Sequence, residues 1–110
     1  MTDNADLVTT RAWKTVDGDP CAPRRVLGRQ VTRVLLVSDE RASAVVLLAD
    51  GRCALTGHRI LVGSVEAVRA YARGRAFKSG TDEATRSWMH RAADRLTALA
   101  AERERNAASL

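Results

Sequence analysis

Four side chains in this 110-residue chain suit metal binding or nucleophilic chemistry: Cys21, Cys53, His58 and His90. Zinc motifs place two ligands close together on each side of a loop. Only Cys53 and His58 are near neighbours; Cys21 and His90 stand alone, so neither a metal site nor a cofactor is expected. Cys53 with either histidine would make a dyad, and Ser43 or Ser64 would offer a hydroxyl. No nucleophile elbow or cysteine-protease context surrounds any of them. "GHRILVG" carries two glycines but lacks the Lys-Ser/Thr of a phosphate loop. The chain reads as non-enzymatic, with no catalytic residues assigned.

What remains is charge. The net charge is +5 and the pI near 10.2. Sixteen of the eighteen cations are Arg, which a GC-rich genome would favour, so position carries more information than residue type. Residues 24–33 hold four Arg and no acid, and residues 69–78 hold four cations and no acid. The remainder has ten cations against thirteen acids. The positive excess is therefore confined to two short segments.

The segment "RAYARGRAFKSG" (69–80) sets Arg69, Arg73, Arg75 and Lys78 around Tyr71 and Phe77. Arg and Lys neutralise phosphates, and either ring would stack a base. The competing reading is structural: cations complement a helix C-terminus, Phe77 folds back as a core plug, and Tyr71 lies half-buried at a stripe edge. In residues 24–33, Arg25, Arg29 and Arg33 alternate on one strand face, where an Arg row tracks a phosphate backbone or blunts a sheet edge. These nine residues are the expected contacts with DNA or RNA. The expected function is a small nucleic-acid-associated or regulatory protein that binds backbone by charge, with little base reading. The alternative is a protein–protein adaptor or structural subunit, for instance of a phage or mobile element, whose Arg rows meet acidic partner surfaces.

Certain elements must position these residues. The polar "MTDNADLVTT" opening resembles no signal peptide, and no apolar run spans a bilayer, so a cytoplasmic protein with reduced thiols and no membrane partner is expected. Residues 1–10 read as loose, 11–101 as one compact domain, and 102–110 as a solvated tail. "RAWKTV" (11–16) reads as a short strand and "DGDPCAP" (17–23) as a loop. A strand follows over 26–37, with a bulge at Gly28, and a central strand over 44–49. Asp50-Gly51 signals a type I′ hairpin. That turn would pair Leu48 with Cys53 and Val46 with Leu55 on one core face. A further strand follows Gly57.

Ser64 caps a helix that is expected to stop at Gly74. Ser79 or Thr81 caps a longer one, whose apolar stripe is Ala84, Trp88, Ala92, Leu96 and Leu99. His90 and Asp94 fall on its polar side. The predicted fold is α+β: an antiparallel three- to four-stranded β-meander followed by two α-helices packed on one face. Both faces of "AVVLLA" are apolar, and helices cover only one, which suggests a homodimer.

Overall fold

The computed structural model describes residues 8–10, 16–19, 21–57 and 59–108. Seven strands precede two helices: β1 (Val8–Thr10), β2 (Val16–Asp19), β3 (Ala22–Val26), β4 (Arg29–Ser38), β5 (Ser43–Leu48), β6 (Cys53–Leu55), β7 (Ile60–Gly63), α1 (Val65–Phe77) and α2 (Glu83–Ala108). From β2 to β7 each strand pairs antiparallel with the next, and β1 adds at the β7 edge through Val8 opposite Val62. The expected α+β meander followed by two helices is present, with more strands than the three or four predicted.

One extra strand, β1, lies in residues 1–10, which were expected to be loose and of which only 8–10 are described; the others come from two turns that local pattern misplaces. "DGDPCAP" is a hairpin, with β2 and β3 paired across a register shift between Asp17 and Gly18. Prolines push their preceding residues into extended backbone, which suits a strand as well as a loop. The single strand expected over 26–37 is broken at Leu27-Gly28. Both residues have positive φ, 51° and 76°, and Val26 pairs with Arg29. This is the geometry of a two-residue I′ turn. Leu rarely adopts positive φ, so the residue type conceals the turn. Of the strand expected over 11–16, only Val16 lies within the described residues.

The turn at Asp50-Gly51 is not type I′. Gly51 N–H donates to Leu48 O (3.0 Å) and Leu48 N–H to Arg52 O (2.8 Å), with Gly51 at φ 90°. This is a three-residue loop ending in a left-handed glycine, which gives the hairpin one more loop residue. The register moves by one: Leu47 faces Cys53, Val46 faces Ala54, and Val45 faces Leu55. A one-residue slip reverses which face a strand presents. Cys53 and Leu55 therefore join Val45 under the helices, while Val46, Leu48 and Ala54 point the other way.

That second face is buried within the single chain. Val26, Ala44, Val46, Leu48, Ala54, Ile60 and Val62 form a cluster no more than 1% exposed, with Leu27 and Val31 packed on it. The cause lies in β4, whose pairing with β5 shifts between Val31 and Arg33 and again between Val34 and Leu36. Each bulge bends its strand and increases twist. Two bulges in one ten-residue strand curl the sheet, so that Val26 of β3 joins the cluster from β5, β6 and β7. The second sheet face, from which a homodimer was expected, therefore needs no partner subunit to cover it.

On the first face Val68, Ala72 and Ala76 of α1 meet Trp88, Ala92, Leu96 and Leu99 of α2 over the sheet. Ser64 caps α1, its Oγ accepting from Ala67 N–H at 3.1 Å. The helix continues through Gly74 to Phe77, past the expected stop. An interior Gly costs about 1 kcal/mol relative to Ala, but fully buried Ala76 anchors the last turn. Arg86 Nε also donates to Ala76 O at 3.1 Å. The cap of α2 is Asp82, whose Oδ2 accepts from Thr85 N–H at 3.1 Å, and not Ser79 or Thr81. Thr85, not Ala84, starts the buried stripe. The last turns of α2, from Arg103 onward, are exposed.

Candidate anion-binding cleft

The basic helix segment divides into two stripes. At 3.6 residues per turn, positions four and seven apart share a face. Tyr71, Arg75 and Lys78 form one such row; Arg69, Arg73 and Phe77 form the other, with the buried Val68–Ala72–Ala76 line between them. The second row lies along α2: Arg73 Nη2 donates to Thr97 Oγ1 (3.2 Å), and the Phe77 ring meets His90 edge-on at 5.3 Å between centroids. His90 is thus half-covered by a ring contact, although a solvated position was expected. Phe77 is no core plug, being 77% exposed. Tyr71 is half-buried against the helix core, as a stripe-edge tyrosine should be.

The first row opens onto a cleft of about 530 Å³. Arg75 and Lys78 line one side; Arg41, from the β4–β5 turn, and Arg59, from the β6–β7 turn, also line it. No acid does. Among the described residues, the side chains of Arg59, Arg75 and Lys78 have neither an ion pair nor a hydrogen bond, and Arg41 Nε is buried without an acceptor. Complementing the α1 C-terminus accounts for Arg75 and Lys78. It does not account for two arginines from separate sheet turns.

The walls are fixed. Gly57 packs so closely on the start of β5 that an added Cβ would lie 2.5 Å from Ser43 Oγ. Thr56 Oγ1 accepts from Ala44 N–H at 2.9 Å, tying the β6–β7 turn to β5. At the helix end Thr81 Oγ1 donates to Arg75 O (3.1 Å), and Arg86 bridges Ala76 O and Thr81 O. Trp88, Met89, Leu55 and Leu61 supply an apolar floor. Asp82 is occupied in capping; its hydrogen bonds from Thr85, with a smaller contribution from the charge of Arg41, hold its carboxyl below the usual range.

The other basic segment differs. Arg25 and Arg29 lie on different strands, so the expected row of Arg25, Arg29 and Arg33 along one strand face does not exist. Arg29 pairs with Asp50 at 2.9 Å and Arg33 with Glu102 at 2.9 Å. Asp50 is held below the usual carboxylate range by the Arg52 backbone N–H first, then by Arg29. Arg25 and Arg33 line an open groove with Gln30 and Val34. That groove sits near the Val31–Leu48 end of the β4–β5 ladder, and the cleft at the Ser38–Ser43 end. At about 3.3 Å per residue the two ends are roughly 23 Å apart.

Neither cysteine lines the cleft. Cys53 is fully buried, and burial pushes its thiol up to about 11, so it stays protonated at neutral pH. Cys21 is half-exposed near Ser38 O, and local desolvation followed by Asp39 raises its pKa. His58 lies outside the described residues. Among the described residues no three or more His, Cys, Asp or Glu side chains cluster as metal ligands, and no helix is long and apolar enough to cross a membrane.

Sequence reasoning missed Arg41 and Arg59. Each is an isolated cation in a hairpin turn, with no local pattern to distinguish it; only the meander brings both turns to the end of α1. Comparison with known protein families, with curated proteins and with solved structures returns no match to this chain, so its function must be argued from this cleft and its surroundings.

Proposed function

We propose that this protein is a small nucleic-acid-associated or regulatory protein that binds single-stranded backbone by charge at the cleft. The observation that carries the reading is the convergence of Arg41, Arg59, Arg75 and Lys78, from three parts of the chain, on one cleft lined by no acid among the described residues. A polyanion neutralised there gains from counterion release, which is independent of sequence. Tyr71 supports the reading, since it lines the cleft beside Arg75 and Lys78, where a base can meet its ring. A single strand is favoured over a duplex because the cations line a cleft with walls, into which one flexible backbone can bend. Arg25, Arg29 and Arg33 drop out of the primary contact set, two of them being paired internally.

The test is the salt dependence of affinity for short single-stranded DNA and RNA, read by fluorescence anisotropy. Four phosphate contacts give a log–log slope near −2.8. Tyr71→Ala lowers affinity by about 1–3 kcal/mol. Absence of binding even at low ionic strength, where charge effects are greatest, rejects the reading.

A further inference from the structure

The cleft is more than a charged rim. A bare phosphate would leave most of its roughly 530 Å³ empty, and that volume falls in the range of small-molecule sites. Its chemistry is also two-sided. Cations occupy the turns and the helix end, while Leu55, Leu61, Met89 and Trp88 form an apolar wall beside Tyr71. A pure polyanion track has no use for such a wall, and an apolar ligand has no use for four cations.

We infer that the cleft is a nucleotide subsite, holding a phosphate monoester among Arg41, Arg59, Arg75 and Lys78 with the attached base laid along Tyr71 and the apolar wall. This rests on the proposed binding of nucleic acid at the same place and names the unit recognised. Arg41 gives the inference its second support. Its Nε is buried with no acceptor among the described residues. Buried donors are nearly always paired, and an unpaired one is costly. The Arg41 guanidinium lines the cleft, where a phosphate offers acceptors, and guanidinium matches phosphate geometry better than any other side chain. Thr81 and Arg86 hold the helix end that carries Arg75 and Lys78, so the cradle exists before the ligand arrives. Preorganisation of this kind lowers the cost of binding.

The ligand has two possible sources, a free nucleotide or the phosphorylated end of a single strand, and titration calorimetry at low salt separates them. The probes are adenosine 5′-monophosphate, adenosine, inorganic phosphate, and one short oligonucleotide with and without a terminal 5′-phosphate. The monophosphate should bind at least about tenfold tighter than either adenosine or phosphate. Arg41→Gln should abolish that preference with the melting temperature unchanged. If Arg41→Gln fails to fold, Arg75→Gln, on the half-exposed helix surface, gives the same reading. An oligonucleotide that binds tighter with its terminal phosphate identifies the strand end as the source. Monophosphate binding without that difference identifies the free nucleotide. A monophosphate no tighter than inorganic phosphate overturns the inference. If salt-dependent strand binding then persists, the backbone reading survives alone; if no probe binds, both fail. An acidic peptide that binds while the monophosphate does not also overturns it.

Discussion

The two basic segments have the same number of cations and no acids, yet the fold uses them oppositely. In residues 24–33 the arginines are divided between two strands of a hairpin, and two of them close ion pairs to Asp50 and Glu102. In residues 69–78 one helical row, Tyr71–Arg75–Lys78, faces a cleft lined by two further arginines, Arg41 and Arg59. The difference teaches that local charge density does not identify a binding surface. What matters is whether the chain supplies its own counter-charge. Arg29 and Arg33 hold the ends of elements in place, as does Arg95, whose Nε donates to Leu35 O at 2.9 Å. Among the described residues, the side chains of Arg59, Arg75 and Lys78 make no ion pair or hydrogen bond.

The largest expected effect tests the floor under the helix segment. Trp88 is 3% exposed, lies beneath the cleft and has Arg91 over its ring at 5.9 Å. Trp88→Ala should destabilise by about 3–5 kcal/mol, read by chemical denaturation. Val26→Ala in the other segment should cost markedly less, since it removes far fewer buried atoms. Equal losses would break the contrast between a deeply founded segment and a lightly founded one.

Next comes the charge exchange. Arg59→Gln, Arg75→Gln and Lys78→Gln together should weaken single-strand binding about a hundredfold at low salt, which is ~2.7 kcal/mol, and flatten the salt slope by about 2.1. Arg25→Gln, Arg29→Gln and Arg33→Gln together should leave the slope nearly intact. If the second set flattens it as much as the first, the two segments do not differ in function.

The two cysteines lie outside both segments and differ in burial. Native Cys21 should react with a thiol reagent, whereas Cys53 should react only on unfolding. Because burial raises the folded Cys53 thiol from the ordinary 9.0 to about 11, its contribution to stability is complete below pH 9. Between pH 9 and 11 the unfolded chain loses the proton first, so stability falls, by about 1–3 kcal/mol. Denaturation curves of Cys53→Ala should lack that part of the pH dependence. An unchanged slope would mean that the thiol is solvated.

The smallest effect sharpens the ion-pair side. A double-mutant cycle on Arg33→Gln and Glu102→Gln should give a coupling of about 0–1 kcal/mol, because both side chains are more than a third exposed. Neither change should alter nucleic-acid affinity. A loss of affinity on Arg33→Gln alone would return that residue to the contact surface.

Much of the architecture was legible in the residues themselves. Apolar period and breaker residues located β5 and β7, the Ser64 cap and the stripe Trp88–Ala92–Leu96–Leu99, because those signals act over a few residues. The strand count was not legible, since Leu27 at positive φ hides a tight turn. Nor was the register after Ala49: a two-residue and a three-residue loop both suit Asp-Gly, and their difference of one residue exchanges the faces of Cys53 and Leu48.

The candidate site divides in the same way. The row Tyr71–Arg75–Lys78 follows from helical spacing once α1 is known to run through Gly74, and it runs that far because Ala76 is buried and Arg86 caps its carbonyl. Arg41 and Arg59 are eighteen residues apart on separate turns, and no short-range rule connects them. Sequence alone determined how much charge there is and roughly where it lies along the chain. Tertiary structure decided which cations are neutralised and which converge, because ion pairing and convergence depend on distances between segments that only the bulged, curled sheet and the helices packed on it bring together.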